Sequence, residues 1–418
     1  MLGEGRSHDR VTYADIFAVR EFRALFISRA LSTVGDYVAR AALVIAVFTE
    51  TESEALMGIT FALGTLPDLI GGPLLAGLAD RFPRRAVMVA ADFSRALLIL
   101  VMAIPGIPLL ALWALFFVIR LVDSPFNSAY ISTMSVVLPG KRLVKGSAVT
   151  QLVNHVSYTV GYAFGGVIVA LTGLSMVLVF NAATFALSGF IILAGVLARQ
   201  ATADASRSLL GATRAAIRHI AGHPRLRVIM LFPFAIATTL SCQTLAAPYA
   251  AQLGHSAVVA GLLMGAGPAG IVVGLWLLPM LVPDQRAGHV VVLSIVSCAP
   301  LMLFMPVPGV ALSVALIVVS GIALYYWIPL AAEFTQTVPD AMRGQAVGLL
   351  TTMMKVTQGV AILIFGLVAE RATSATVIAA SGAVGTVMVI SLSVAWVWAN
   401  RPGAITVTPR TTPGDSAS

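Results

Sequence analysis

The sequence predicts an all-α membrane protein in which twelve transmembrane helices form two parallel six-helix repeats. Three observations lead to this fold class. Hydrophobic residues make up 58% of the 418 residues and charged residues only 11%, whereas about a quarter of an ordinary soluble domain is charged. Apolar stretches long enough to cross a hydrocarbon core of ~30 Å recur along the chain. The spacing of glycines in the first half also recurs in the second half.

The apolar stretches define the predicted helices. Because their number is even, we expect both termini on the same side of the membrane. The stretches cover approximately residues 24–48, 56–79, 86–104, 109–135, 147–171, 174–198, 228–251, 258–281, 288–306, 309–335, 344–369 and 375–399.

The charged loops between the stretches indicate the orientation. Loops that stay in the cytoplasm carry an excess of lysine and arginine. One set of loops holds Arg6, Arg10, Arg20, Arg23, Arg81, Arg84, Arg85, Lys141, Arg142, Lys145, Arg199, Arg207, Arg214, Arg218, Arg225 and Arg227. The other set holds Glu50, Glu52, Glu54, Glu370 and Arg371. We therefore expect both termini in the cytoplasm and the protein in the cytoplasmic membrane. The net charge of +8 orients the chain and does not indicate nucleic-acid binding.

Composition also divides the chain into domains. Residues 1–23 form a polar cytoplasmic N-terminus, and residues 24–198 form the first six-helix bundle. Residues 199–227 are a cytoplasmic linker rich in Ala, Ser and Arg, with a surface helix predicted around 209–220. Residues 228–400 form the second bundle, and residues 401–418, rich in Thr, Pro, Gly and Ser, form a disordered cytoplasmic tail.

The two halves share a glycine pattern. A shift of 203 residues places Gly58, Gly64 and Gly71 on Gly261, Gly267 and Gly274, and a shift of 198 places Gly146 and Gly161 on Gly344 and Gly359. The second and eighth helices cross the membrane in the same direction, so these repeats are parallel. Small residues at such positions let helix backbones approach closely.

A charged turn separates the second and third apolar stretches. Its sequence, GLADRFPRR, contains Gly77, Asp80, Arg81, Arg84 and Arg85. With twelve helices in two repeats, it resembles the major facilitator superfamily, whose motif has the form G-x-L-A-D-R-x-G-R-K. Pro83 stands where that motif has glycine. The resemblance implies a cytoplasmic gate in which Asp80 docks near residues 343–345, at the start of the eleventh helix.

The first half also resembles the exporters of the macrolide-efflux and enterobactin-exporter type. The resemblance lies in Gly35-Asp36, in Ala91-Asp92 with Arg95, and in Gly165-Gly166. Tyr162 replaces the proline that drug–proton antiporters usually carry in the fifth helix. The resemblance implies transport of a drug or siderophore.

Several charges lie deep within predicted helices; Asp68 stands alone after Pro67, where it either bonds backbone groups freed at the proline or faces the cavity, and four others form two pairs. A charged side chain at membrane depth costs at least about 2.5–3.5 kcal/mol, so each needs a partner, a water-filled cavity or a role. Asp36 and Arg40 share a face of the first helix, and Arg120 and Asp123 share a face of the fourth. They form either a static ion-pair network or a site where an aspartate takes up a proton when substrate competes for its arginine. We expect Asp92 and Arg95 to pair structurally.

Other polar side chains in the helices are candidates for a substrate cavity. Each also has a packing interpretation, because a histidine or aromatic residue in a membrane helix is more often part of the packing. Glu333 and Lys355 either pair across helices or act separately. The candidates are Gln151, Asn154, His155, Gln243, Tyr325, Glu333, Lys355 and Gln358.

Together these features predict a secondary active exporter of a small organic molecule (a drug, natural product or siderophore), coupled to proton antiport. The alternatives are a facilitator, importer or lipid flippase without proton antiport and, more remotely, a receptor-like membrane protein. We expect substrate, protons and membrane lipids as partners, a monomer, and neither cofactor nor metal. The sequence lacks G-x-x-x-x-G-K-[ST], H-E-x-x-H and a serine nucleophile elbow, so it does not predict an enzyme.

Overall fold

The computed structural model describes residues 12–67, 71, 81–199, 209–281 and 287–399, and these residues are helical with no strand among them. The all-α fold is therefore confirmed. Each predicted apolar stretch coincides with a helix or with consecutive helical segments, although part of the stretch 56–79 lies outside the described residues. The α-helices are α1 (Tyr13–Phe17), α2 (Arg20–Thr51), α3 (Glu54–Leu63), α4 (Arg84–Met102), α5 (Leu109–Val137), α6 (Lys141–Gly195), α7 (Leu209–Gly222), α8 (Pro224–Thr238), α9 (Ser241–Thr244), α10 (Ala246–Gln252), α11 (Ala257–Leu281), α12 (Ala287–Cys298), α13 (Val310–Ala323), α14 (Trp327–Thr337), α15 (Arg343–Ala369) and α16 (Ser374–Ala399).

The outer faces of these helices are apolar. Among the described segments, eight are long and apolar enough to cross a membrane, and α3 and Gly288–Phe304 are shorter apolar helices. Leu171 is 79% exposed, and Trp276 and Val394 are also largely exposed. A soluble protein rarely exposes so much contiguous apolar surface, which here matches the acyl chains of a bilayer. The chain is a multi-pass membrane protein.

Helix α6 contains two of the predicted stretches. Its 55 residues are interrupted at Gly173, whose φ of 78° and ψ of 168° are not helical. Glycine adopts this backbone conformation without the steric penalty that a Cβ would bring. The break falls between the predicted stretches 147–171 and 174–198, so α6 is two membrane-spanning helices joined by one tight turn.

The helices pack into separate cores. One core joins Ala42, Ile99 and Phe185 from α2, α4 and α6. Another joins Phe232 of α8 and Leu350 of α15. A third group of buried residues spans both halves of the chain and includes Met57, Tyr162, Met264 and Ile362. The helices before and after the segment 199–208 thus pack mainly among themselves and meet along one shared apolar seam.

Two glycine contacts bring the halves together at one end of that seam. A Cβ built on Gly58 of α3 would lie 3.0 Å from the Cα of Gly366 in α15. A Cβ built on Gly166 of α6 would lie 2.8 Å from the Cα of Gly261 in α11. These helices therefore touch backbone to backbone. The shift of 203 that relates Gly58 to Gly261 makes the two contacts counterparts in the repeat.

A carboxylate reinforces the same end. Glu370 Oε1 accepts hydrogen bonds from Ser53 Oγ at 2.5 Å and from the backbone N–H of Ala55 at 2.9 Å, at the start of α3. The two hydrogen bonds lower the pKa of Glu370 below its ordinary value. We call this region the contact end; it consists of Ser53, Ala55, Gly58, Gly166, Gly261, Gly366 and Glu370.

Near the start of α15, a Cβ built on Gly344 or Gly348 would meet no atom of the described residues within 4 Å, although Leu350 on the same helix packs in the core of the second half. Among the described residues, the backbone-to-backbone contacts between the halves thus lie toward the contact end, away from the ends where α2 and α15 begin.

Candidate functional site

A cavity of about 520 Å³ lies between the two halves. This volume falls within the range of pockets that enclose drug-sized ligands. Its walls come from helices of both halves, and it lies beside the shared seam, on the side away from the contact end. Five of the eight predicted cavity residues line it: His155, Gln243, Tyr325, Lys355 and Gln358.

Three of the predicted intramembrane charges meet on one wall of this cavity. Arg120 Nη1 of α5 lies 3.1 Å from Asp36 Oδ2 of α2, and Arg120 Nη2 lies 3.6 Å from Asp123 Oδ2 one turn along α5. All three side chains line the cavity. Among the described residues, the geometry therefore joins the first and fourth predicted helices through Arg120, which contacts the carboxylates of both Asp36 and Asp123.

Arg40 does not pair with Asp36 as the i, i+4 spacing predicted. Its Nη2 instead donates a hydrogen bond of 2.5 Å to the carbonyl oxygen of Gly64, which follows α3, and its guanidinium lies 5.6 Å from the ring centre of Tyr37. Carbonyl groups at the end of a helix lack an intrahelical donor and attract cationic side chains. The long arginine stem reaches this carbonyl, and Asp36 is left to Arg120.

The charge cluster continues deeper than the sequence predicted. Arg95 of α4 bonds to Asp92 Oδ1 at 2.5 Å, as expected for this pair, and also to Asp123 Oδ1 at 2.6 Å. Asp92 Oδ2 in turn accepts a hydrogen bond of 2.7 Å from Ser188 Oγ of α6. Sequence spacing revealed the Asp92–Arg95 pair but not the bond between α4 and α5, which depends on tertiary packing.

Two tyrosines that the sequence analysis did not select form an aromatic wall. The rings of Tyr37 and Tyr158 stack with centres 4.5 Å apart. Tyr158 Oη donates a hydrogen bond of 2.8 Å to Gln243 Oε1, whose Nε2 donates to the carbonyl of Met264 at 3.2 Å. This bond links the two halves at the cavity. The only available signal was the position of Tyr158 one turn after His155.

Three predicted cavity residues lie elsewhere among the described residues. Gln151 is exposed and accepts a hydrogen bond from Asn154 on the same helix, and neither side chain lines the cavity. Glu333 accepts a bond of 3.2 Å from Trp396 Nε1 and also lies outside the cavity lining. The bond to Trp396 directs Glu333 toward α16. The carboxylate of Glu333, which the sequence suggested for the cavity, thus contributes to packing between α14 and α16.

The arginines of the charged turn tie α4 to its neighbours. Arg84 Nη1 donates a hydrogen bond of 3.1 Å to the carbonyl of Ser132, and Arg85 donates to the carbonyl of Leu193. Arg81 is exposed. Gly77 and Asp80 lie outside the described residues, so the docking of Asp80 stays a prediction.

Similar sequences are transporters. The chain is 28% identical over 173 residues to an uncharacterized MFS-type transporter, YfiS, of Bacillus subtilis (strain 168), which covers 40% of each chain. It is 24% identical over 162 residues to macrolide efflux protein A of Streptococcus pyogenes, covering 38% of this chain and 40% of that protein. The match thus spans about two fifths of the length of each relative.

Solved structures share the fold over most of the chain. A POT family transporter in complex with 5-aminolevulinic acid superposes with a TM-score of 0.73 at 11% identity, covering 91% of this chain and 97% of that one. The nucleoside transporter NupG gives a TM-score of 0.71 at 15% identity, covering 91% and 100%. Residues 25–323 match the model of the Major Facilitator Superfamily. The chain therefore belongs to the Major Facilitator Superfamily of membrane transporters.

Proposed function

We propose that this protein is a secondary active exporter that carries a small organic molecule, a drug, natural product or siderophore, by alternating access with proton antiport. One observation carries the proposal. The halves touch at the contact end, while a cavity lined by Asp36 and Arg120 lies on the other side of that contact. Such a geometry is expected for one of the two states of a carrier that rocks two repeats about a central site.

The charges at the two ends support an inward-facing orientation. Glu50, Glu52 and Glu370 lie toward the contact end, whereas Lys141 and Arg142 lie at the start of α6, toward the opposite end. Basic residues favour the cytoplasmic side. The cavity then faces the cytoplasm, both termini lie there, and the contact end faces outward.

Export is supported by the similarity to macrolide efflux protein A, a protein named for efflux. The cavity also suits an amphipathic molecule, since Tyr37, Tyr158 and Tyr325 supply aromatic surface beside charged groups. Aromatic faces bind planar apolar groups, and a few polar groups fix orientation.

Asp36 is the residue best placed to exchange a proton. Among the described residues it is held by one arginine, whereas Asp123 is held by both Arg95 and Arg120. A carboxylate between two guanidinium groups keeps its charge, because both neighbours favour the ionised form. For antiport, proton and substrate must bind at different times. Competition of substrate for Arg120, the form of the hypothesis drawn from the sequence, would load both together, so here substrate binds while Asp36 is paired with Arg120 and leaves when Asp36 takes up a proton.

The test is transport into inside-out vesicles that contain the purified protein. With radiolabelled macrolide or siderophore as probe, we expect uphill uptake that stops when the pH gradient is collapsed. Asp36→Asn should reduce proton-driven uptake at least tenfold, because the neutral amide cannot carry the proton. Asp15→Asn, the same change on α1 outside the cavity, should transport normally.

Other results would contradict parts of this proposal. Uphill uptake without a pH gradient would exclude proton antiport. Counterflow that persists without proton movement would indicate a facilitator, importer or flippase. If correctly inserted protein moves none of the probes, a receptor-like protein would be favoured.

A further inference from the structure

The ion pairs of the first half form one continuous chain. From the interior outward, Ser188 bonds to Asp92, Asp92 to Arg95, Arg95 to Asp123, Asp123 to Arg120, and Arg120 to Asp36. The side chain of Asp92 is fully buried, whereas that of Asp36 is 17% exposed. The chain therefore runs from a dry interior to the cavity and alternates in charge at every step after Ser188.

Arg95 is the most firmly held cation of this chain. Its guanidinium carbon lies 4.5 Å from the ring centre of Phe126 and 4.4 Å from that of Phe185. Two carboxylates hold its edges while the two aromatic rings pack against it, an arrangement that suits a planar guanidinium and not an ammonium group. Its Nε also donates to the carbonyl of Ala91 at 3.3 Å. The position of Arg95 is thus fixed by its surroundings.

The fixed position of Arg95 determines how Arg120 is shared. Asp123 receives one bond of 2.6 Å from Arg95 and a longer contact of 3.6 Å from Arg120. Because Arg95 already neutralises Asp123, Arg120 remains closer to Asp36, at 3.1 Å. Without Arg95, Asp123 would draw Arg120 inward and away from Asp36.

We propose that Arg95, which does not contact Asp36, is a positioning residue that maintains the Asp36–Arg120 pair through Asp123. The proposal rests on the proposed proton antiport, in which that pair is exchanged for a proton. Arg95 itself lines the cavity, and it sets how readily the exchange occurs without contacting Asp36. Other charged or titratable side chains facing this part of the cavity are Arg29, Tyr37 and Arg40 on α2, His155 and Tyr158 on α6, Tyr325 before α14 and Lys355 on α15; Asp68 lies outside the described residues.

Substituting Arg95 alone would not distinguish a role in positioning Arg120 from a role in folding. Arg95→Met leaves Asp92 and Asp123 buried beside less positive charge, and such uncompensated charges destabilise a protein. The informative variant is therefore Asp92→Asn with Arg95→Met, which removes one charge of each sign. Arg95→Lys keeps the cation without the planar fork, and Arg142→Gln removes a cation from an exposed position as the control.

The first measurement uses purified protein and needs no substrate. Infrared spectra at neutral pH report protonated carboxyl groups, and the band of Asp36 is identified by its absence from Asp36→Asn variants. We expect no such band in the wild-type protein or in Arg142→Gln, a clear band in the double variant and a weaker band in Arg95→Lys. A folded double variant without the Asp36 band would overturn the proposal.

The second measurement tests whether Arg95 acts through Asp36. In inside-out vesicles with a macrolide or siderophore as probe, the double variant should shift the pH profile of uptake by about one unit toward higher pH, the size expected when a carboxylate loses a neighbouring cation. Adding Asp36→Asn to the double variant should cause no further loss beyond that of Asp36→Asn alone. Additive losses would show that Arg95 is merely structural.

The two measurements separate this proposal from the proposed function. If wild-type protein transports without any dependence on protons, the antiport proposal fails while the infrared band still decides the role of Arg95. If wild-type transport is proton-driven and the double variant keeps the wild-type spectrum and pH profile, only the role of Arg95 is refuted.

Discussion

Asp36 and Asp123 line the same cavity, yet their surroundings assign them different chemistry. Asp123 lies between two arginines, and Asp36 faces one. The sequence identified both because ionised residues are conspicuous in apolar helices. It could not rank them, since the second arginine of Asp123 comes from another helix.

The same limit explains the errors at the level of single residues. Asp36 and Arg40 share a helix face, but the carbonyl of Gly64 on a neighbouring element holds Arg40. Tyr158 was not predicted, because an isolated tyrosine in a membrane helix usually belongs to the packing, whereas Tyr325 stands in a run of three aromatic residues. Spacing along one helix predicts which side chains can meet, whereas packing between helices decides which of them do.

Two substitutions test which polar residues of the second half contact the substrate. Lys355→Gln removes a cation that lines the cavity. It should reduce transport by about tenfold, because a hydrogen bond to a charged group contributes about 1.5–3 kcal/mol. Glu333→Gln changes a residue bonded to Trp396 outside the lining and should leave the KM for substrate unchanged. The check is concentration-dependent uptake in vesicles; a raised KM for Glu333→Gln would place that residue in the site.

At the scale of helices, glycine positions were more informative than charge positions. The recurring glycines predicted close helix contacts, and Gly58 and Gly261 lie in two of the contacts between the halves. The break at Gly173 also falls where the apolar stretches were divided. These features were predictable because glycine, which has no side chain, allows backbone conformations and close helix contacts that other residues do not. The hydrogen bonds that Glu370 accepts from Ser53 and Ala55 at the start of α3 were not predictable, since they join residues more than 300 positions apart.

Glu370 makes closure of the contact end sensitive to pH. Its pKa is lowered by the bonds from Ser53 and Ala55, so these bonds are at full strength above the ordinary pKa of glutamate. They are lost as the pH falls through the lowered value. Acidification into that range should therefore loosen the contact end, and Glu370→Gln should loosen it already at neutral pH.

The measurement is labelling of a cysteine introduced at Thr65, which lines the cavity, in a background with Cys242→Ser and Cys298→Ser. An impermeant thiol reagent applied from the contact-end side should label Glu370→Gln severalfold faster than the parent protein at pH 7, where the thiol is equally reactive in both. Glu50→Gln, a neighbouring acidic residue, is the control. Equal labelling of all three proteins would contradict a role for these bonds in closure.

At the scale of the whole molecule, the fold class followed from hydropathy because a bilayer requires long apolar helices whatever their order. The size and lining of the cavity did not follow, since they depend on how the two halves lean against each other. The division at residues 199–227 stays a prediction. Residues 209–222 of this segment form α7, whose Ala216 and Ile220 pack in the same core as Phe232 of α8.

Alternating access predicts that joining the two halves at the contact end stops transport. A short bifunctional thiol reagent acting on Ser53→Cys with Glu370→Cys should abolish uptake, and cleavage by a reductant should restore it. The same reagent acting on Ser294→Cys with Ser393→Cys, whose hydroxyl groups lie 3.2 Å apart within one half, should leave transport intact. Full transport by the Ser53–Glu370 cross-linked protein would exclude rocking about this end.

The chain of ion pairs from Ser188 to Asp36 lies entirely within the first half of the protein. The second half contributes Gln243, Tyr325 and Gln358 to the cavity, none of which belongs to that chain. In the proposed exporter, selection by a new toxic compound can change recognition through substitutions at these three positions, while the residues proposed to couple transport to protons stay unchanged. We therefore expect resistance-broadening substitutions to accumulate in the second half, which makes its sequence the more adaptable part of the carrier.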